Sequence, residues 1–180
     1  MACSVHGSCS PTKQLEGVPW CQTCREYEPP PLAHPIRSLL YFVYPRQGNG
    51  VWQRSLMQLI KRIDVFNGRR VVAIATDNLT DPASSVKGML WGHVHEFIEL
   101  SNDHQLREAA AWIPLWSRVQ SEHPDQITLW AHAKGVTRPL DKGNSCHPWA
   151  EILAETYLDY VPIVEDVLSR HPVAGCMKKV

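Results

Sequence analysis

Long apolar runs are missing from this chain of 180 residues. No stretch approaches the roughly 20 apolar residues that a membrane-spanning helix needs. The polar, cysteine-rich N-terminus also lacks the basic segment followed by an apolar one that marks a secretory leader. A cytoplasmic location is therefore expected. Net charge is missing as well: 18 Lys and Arg balance 18 Asp and Glu, which excludes a broad electrostatic footprint for nucleic acid or an anionic membrane. Internal repeats and low-complexity tracts are absent. So are the G-x-G-x-x-G fingerprint, the P-loop and the G-x-S-x-G elbow, which disfavours the two nucleotide-binding classes and the hydrolase class that those motifs define.

What the chain does hold is a dense N-terminal group of metal-ligating residues. Cys3, His6, Cys9, Cys21 and Cys24 fall within the first 24 positions. In a reducing compartment such a cluster reads as a metal site rather than a disulfide framework. Four thiolates, Cys3, Cys9, Cys21 and Cys24, suit tetrahedral zinc, with His6 as an alternative ligand in the first pair. An iron–sulfur cluster would accept the same four thiolates, so spacing leaves zinc versus cluster open. A closed four-ligand site has no position for substrate, and its role is structural. Cys146 and Cys176 read as ordinary thiols. A proline-rich connector then ends the head, giving a division into a head over 1–28, a linker over 29–35 and a body over 36–180.

The body alternates strand and helix patterns. Ser38 to Tyr44 is an apolar, aromatic-rich run stopped by Pro45, the pattern of a strand covered on both faces. Trp52, Leu56, Leu59, Ile60, Ile63 and Phe66 recur at helical spacing, closed by Asn67-Gly68. Val71 to Thr76 is a second buried strand, and Asp81-Pro82 opens a short helix through Leu90. Phe97 to Leu100 is a third strand. A helix from Leu106 to about Glu122 is expected in two pieces around Pro114. Ile127 to Ala133 is a fourth strand, and a long helix from Pro148 carries a bend at Pro162. The expected fold class is α/β: a mainly parallel, Rossmann-like sheet with flanking helices, binding ligands beyond the carboxyl ends of its strands.

Those ends hold the candidate chemistry. His132, Lys134 and Arg138 lie in WAHAKGVTR at and after the fourth strand, where two potential cations beside a glycine turn suit a diphosphate. Asp77, ending the second strand, can accept hydrogen bonds from a ribose or base, or serve as a turn or cap residue. Pro45 to Val51 contains glycines and precedes a helix N-terminus fit for phosphate. His93 and His95 lack a third ligand nearby and read as surface strand histidines.

Taken together, the cysteine-rich head, the segment SNDHQLREAAAWIPLW and the strand-plus-turn LWAHAKGVTRP resemble a family of bacterial glycosyltransferase-like proteins. In these a short cysteine-rich segment precedes a nucleotide-diphospho-sugar transferase domain. The strand-plus-turn is also similar to the H-x-K segment of rhamnan-synthesis-type glycosyltransferases. The resemblance implies a GT-A-like fold that transfers a sugar from a nucleotide-diphosphate donor to an unknown acceptor. It places Asp77 near the nucleoside, and Lys134 and Arg138 near the diphosphate, with His132 and Lys134 as catalytic candidates. Two departures stand out. No D-x-D occurs, which leaves a divalent cation such as manganese or magnesium open, and relatives continue into an acceptor-side segment beyond the point where this chain stops, as expected of a truncated donor-binding half or of a member whose chemistry needs no such metal. The rival reading is a non-catalytic module whose zinc head docks a partner protein. A zinc-headed nucleic-acid adaptor is disfavoured by the neutral charge.

Overall fold

A computed structural model describes residues 13–15, 18–20, 35–48, 50–119, 126–133 and 151–171. The chain divides into two compact units, one of Met1–His34 with Glu155–Val180, the other of Pro35–Ala154. In the first unit, β1 (Lys13–Leu15) pairs antiparallel with β2 (Val18–Trp20), Lys13 opposite Trp20. The same unit holds a π-helical turn over Glu155–Asp159. A helix over Val161–Arg170, α4 below, then has Pro162 as its second residue. The interruption expected at Pro162 thus falls at Tyr160, and Pro162 lies in the first turn of the helix that follows, where a residue has no intrahelical acceptor for an amide anyway.

The second unit is an α/β fold. Its strands are β3 (Arg37–Val43), β4 (Arg70–Thr76), β5 (Glu96–Ser101) and β6 (Ile127–His132), all parallel, in the spatial order β5-β4-β3-β6. The central pair is apolar on both faces and buried almost throughout: Leu39, Leu40, Val43, Val71, Val72, Ala73 and Ile74 are wholly inaccessible. Such runs cannot face water on either side, so helices must cover both. The helices α1 (Val51–Ile60), α2 (Ala83–Leu90) and α3 (Trp112–Trp116) do so.

Register and side-chain pairs assign each helix to a face. Partners in a parallel ladder share a face, so Leu40, Val71, Glu96 and Trp130 lie on one side and Val43, Ile74 and Glu99 on the other. Lys87 of α2 pairs with Glu99, which sets α2 on the second face, and α1 packs beside it. Trp112 of α3 meets Trp130 edge to face with ring centroids 5.5 Å apart, which sets α3 on the first. Trp52 and Leu56 of α1, Val86 and Leu90 of α2, and Leu115 of α3 are the buried anchors of these layers. Each stabilises the fold by about 1.5–3 kcal/mol through apolar surface removed from water.

Two expected boundaries move. The first helix stops at Ile60, and Ile63–Val65 forms a separate 3-10 turn that buries Ile63. The helix after β5 does come in two pieces, but the break precedes Pro114: a 3-10 turn over Arg107–Ala111 runs into α3, where Pro114 is the third residue and its missing amide leaves no intrahelical gap. Among the described residues, no helix is long and apolar enough to cross a membrane.

Candidate functional site

Because all four strands of the sheet are parallel, their carboxyl ends share one edge. From β3 the chain steps outward to β4 and β5, then returns to β6 on the other side of β3. The order therefore reverses between β3 and β6, the position at which open parallel sheets bind ligands beyond their strand ends.

The loops after β3 and β4 are joined to each other. Arg46 and Thr80 form an antiparallel bridge, the Gln47 amide donates to the Leu79 carbonyl (3.0 Å) and the Asp81 amide to that of Pro45 (2.8 Å). The Gln47 side chain adds a bond to the Thr80 carbonyl at 2.9 Å. The Trp52 indole donates to the Asp81 carboxylate at 3.0 Å, which ties α1 to the same loop. Gly50 begins α1 at φ 63°, a left-handed conformation that glycine adopts without strain, and no side chain caps the helix.

Asp77 is the centre of this rim. One carboxylate oxygen, Oδ1, accepts the Leu79 amide at 2.8 Å, a local turn bond. The other, Oδ2, accepts the Tyr44 hydroxyl from the end of β3 at 2.9 Å and the Asn102 side-chain amide from the end of β5 at 2.8 Å. His104 Nε2 stands 3.8 Å from the same oxygen, while its Nδ1 lies 3.3 Å from the Asn102 side-chain nitrogen. Thr80 completes the turn, its hydroxyl donating to the Asp77 carbonyl and accepting the Asp77 amide.

These contacts set the charges. Burial pushes the Asp77 carboxyl up, but the Leu79 amide, Asn102, Tyr44 and the nearby His104 together hold it below the usual carboxylate value. The Tyr44 phenol is pushed up to about 12, first by burial and then by its bond to Asp77 and that charge. It stays a donor across the neutral range. The next loop is held by Asp103, whose carboxylate accepts the amides of Gln105 (2.8 Å) and Leu106 (2.9 Å). That pair of bonds keeps Asp103 below the usual value as well. The loop ends at Arg107, which adopts φ 52°, an uncommon conformation for a residue with a Cβ.

Of the candidate catalytic and donor-binding residues, Asp77 and His132 are described. His132 ends β6 level with Phe42 of β3, half-buried beside the point where strand order reverses. Between it and Asp77 lies β3. Lys134 and Arg138 lie outside the described residues, as do Cys3, His6, Cys9, Cys21, Cys24, Cys146 and Cys176. His95 has a local role, its Nδ1 accepting the Arg70 amide at 3.0 Å. Among the described residues no group of three His, Cys, Asp or Glu could hold a metal ion. The sequence puts Ser101 to Asp103 at a strand's carboxyl end without giving Asn102 a role, and singles out neither Tyr44 nor His104. Thr76 and Ser101 are register partners, so the residue following each strand reaches the same rim.

Comparison with known proteins finds no similar one: no family model, no curated protein and no solved structure matches this chain.

Proposed function

We propose that the α/β unit is a donor-binding domain of glycosyltransferase type, GT-A-like, which takes a nucleotide-diphosphate sugar and passes the sugar to an acceptor hydroxyl. The observation that carries this reading is the reversal of strand order between β3 and β6 beside a rim centred on the Asp77 carboxylate. Asp77 accepts hydrogen bonds from the ribose or base of the nucleoside. Lys134 and Arg138 offset charge on the diphosphate, with His132 as a hydrogen-bond donor beside them. In the transfer, the bond from the sugar's anomeric carbon to the diphosphate oxygen breaks as the acceptor oxygen bonds to that carbon. The acceptor proton leaves to a base, and the electron pair departs with the diphosphate.

The head is a structural zinc site in this proposal. The β1–β2 hairpin supports it, because Lys13 pairs with Trp20, and in sequence Cys9 precedes the first of these residues while Cys21 follows the second. Metal analysis of purified protein, against the double variant Cys21→Ser with Cys24→Ser, checks this: the variant should lose one equivalent of zinc.

For the donor site, a panel of nucleotide sugars with and without manganese should raise the melting temperature. Lys134→Ala should abolish that rise without unfolding the protein. An unchanged rise removes Lys134 from the site, and no rise with any donor ends the reading. One observation favours the non-catalytic alternative: Trp112, Ile113 and Trp116 on α3 are 58%, 83% and 53% exposed, an apolar surface suited to a protein partner. A zinc-loaded protein indifferent to every nucleotide sugar would speak for it.

A further inference from the structure

Tyr44 is an unusual choice for its place. It follows a strand that also buries Ser38 and Tyr41, is itself 8% exposed, and donates its hydroxyl to a carboxylate that belongs to the next strand's loop. Phenylalanine would fill the same space with no polar group to satisfy. Asn102 is equally specific. Its backbone amide continues the ladder to the Thr76 carbonyl at 3.0 Å, and its side chain then reaches sideways to the same carboxylate oxygen. Aspartate there would set two negative charges against each other.

We infer that Tyr44 and Asn102 are positioning residues that fix the orientation of the Asp77 carboxylate and leave an acceptor position on Oδ1 for a ribose hydroxyl of a nucleoside diphosphate. This rests on the reading of the rim as the donor site. A carboxylate on a short side chain retains one free rotation about its bond to Cβ. Donors arriving from β3, from β5 and from the Leu79 amide remove that freedom. Oδ2 already accepts two bonds, whereas among the described residues Oδ1 accepts one of the two its lone pairs allow. The Asp77 side chain is 15% exposed, so part of it still meets solvent at the rim. The donors that hold it are an amide, a phenol and a carboxamide, which keep the carboxylate charged without neutralising it.

The test separates this role from simple bracing of strand ends. In protein carrying carbon-13 in its aspartate carboxyls, with Asp77→Asn to assign the signal, the Asp77 midpoint should lie below 3.8 and rise in both Tyr44→Phe and Asn102→Ala. Uridine and guanosine diphosphates, each compared with its 2′,3′-dideoxy analogue, report on the acceptor position. Wild type should prefer the ribose form, and each variant should weaken that form by about five- to twentyfold while its dideoxy binding stays level. A midpoint that stays put in both variants overturns the inference. So does a shifted midpoint with the ribose preference intact, since the network would then be bracing alone. If wild type binds neither diphosphate, the donor reading is lost and the titration by itself decides whether Tyr44 and Asn102 set the carboxylate. Tyr44→Phe removes one oxygen and keeps the ring, so it stands in should Asn102→Ala fail to fold.

Discussion

The two edges of the sheet use side-chain polarity in opposite ways. At the amino edge, side chains are spent on backbone: the buried Ser38 hydroxyl accepts the Arg69 amide at 3.0 Å, Asn67 Oδ1 accepts the Arg37 amide at 2.7 Å, and His95 accepts that of Arg70. A carboxylate there, Glu96, lies between the guanidiniums of Arg69 and Arg118, each at 2.8 Å. Its charge is matched and its oxygens are engaged. At the carboxyl edge, Asp77 is met by neutral donors and by a histidine 3.8 Å away. A carboxylate between two cations has its charge compensated, whereas one held by neutral hydrogen bonds keeps its charge available to an incoming hydroxyl. On the proposed reading, the difference sets the donor site at one end of the sheet and cohesion at the other.

The sharpest way to break the cohesive edge is Gly68→Ala. A Cβ there would stand 2.5 Å from Ser38 Oγ, 2.6 Å from Ile36 Cγ2 and 2.9 Å from the Arg37 carbonyl, in the space where the Gly68 amide bonds that carbonyl. The strand and the loop must part, at a cost on the order of 2–4 kcal/mol in urea unfolding. Nucleotide preference measured below the unfolding range should not change. If it does, the two edges are coupled and the separation fails.

Asp77→Asn tests the other edge, with a smaller loss of about 1–2 kcal/mol because one hydrogen-bonded charge is removed from a site that water still touches. Its signature is in pH. The folded carboxyl lies below the ordinary value of 3.8, so the stability it contributes is fully present above that value and fades as pH falls through the lower folded one. Unfolding free energy of Asp77→Asn should therefore converge on wild type in acid. A constant gap down to the acid limb would mean that the carboxylate is held no differently from one in water.

Much of this was legible from residue order alone. The four strands of the second unit, their parallel sense and the helices between them follow from apolar runs broken by helical periodicity and glycine or proline stops. Asp77 was legible because a polar residue directly after an apolar strand falls at the carboxyl edge. Its partners were not. Tyr44 looks like one more aromatic residue of a buried strand, and its hydroxyl gains meaning only when β4 is known to lie beside β3. Asn102 requires the β4–β5 register, which local pattern leaves unspecified. The proline positions misled for a related reason: Pro114 and Pro162 sit in first turns, where a missing amide is harmless, and periodicity alone does not say where a turn begins.

The smallest effect should come from Glu96→Gln, although Glu96 makes the closest ion pairs of the amino edge. Arg69 and Arg118 leave 40% and 47% of their side chains in water and Glu96 leaves 26%, so solvent already screens what the geometry brings together. A loss under about 1 kcal/mol is expected. It should shrink further between about 0.1 M and about 1 M salt, as the screening length falls from roughly 10 Å to roughly 3 Å. The Asp77→Asn loss should persist over the same range, because its bonds are short-range and come from neutral donors. Unfolding both variants at the two salt concentrations ranks the edges directly. A Glu96→Gln loss that exceeded that of Asp77→Asn in high salt would invert the comparison, making the matched carboxylate the stronger tie and Asp77 a minor ornament of the rim.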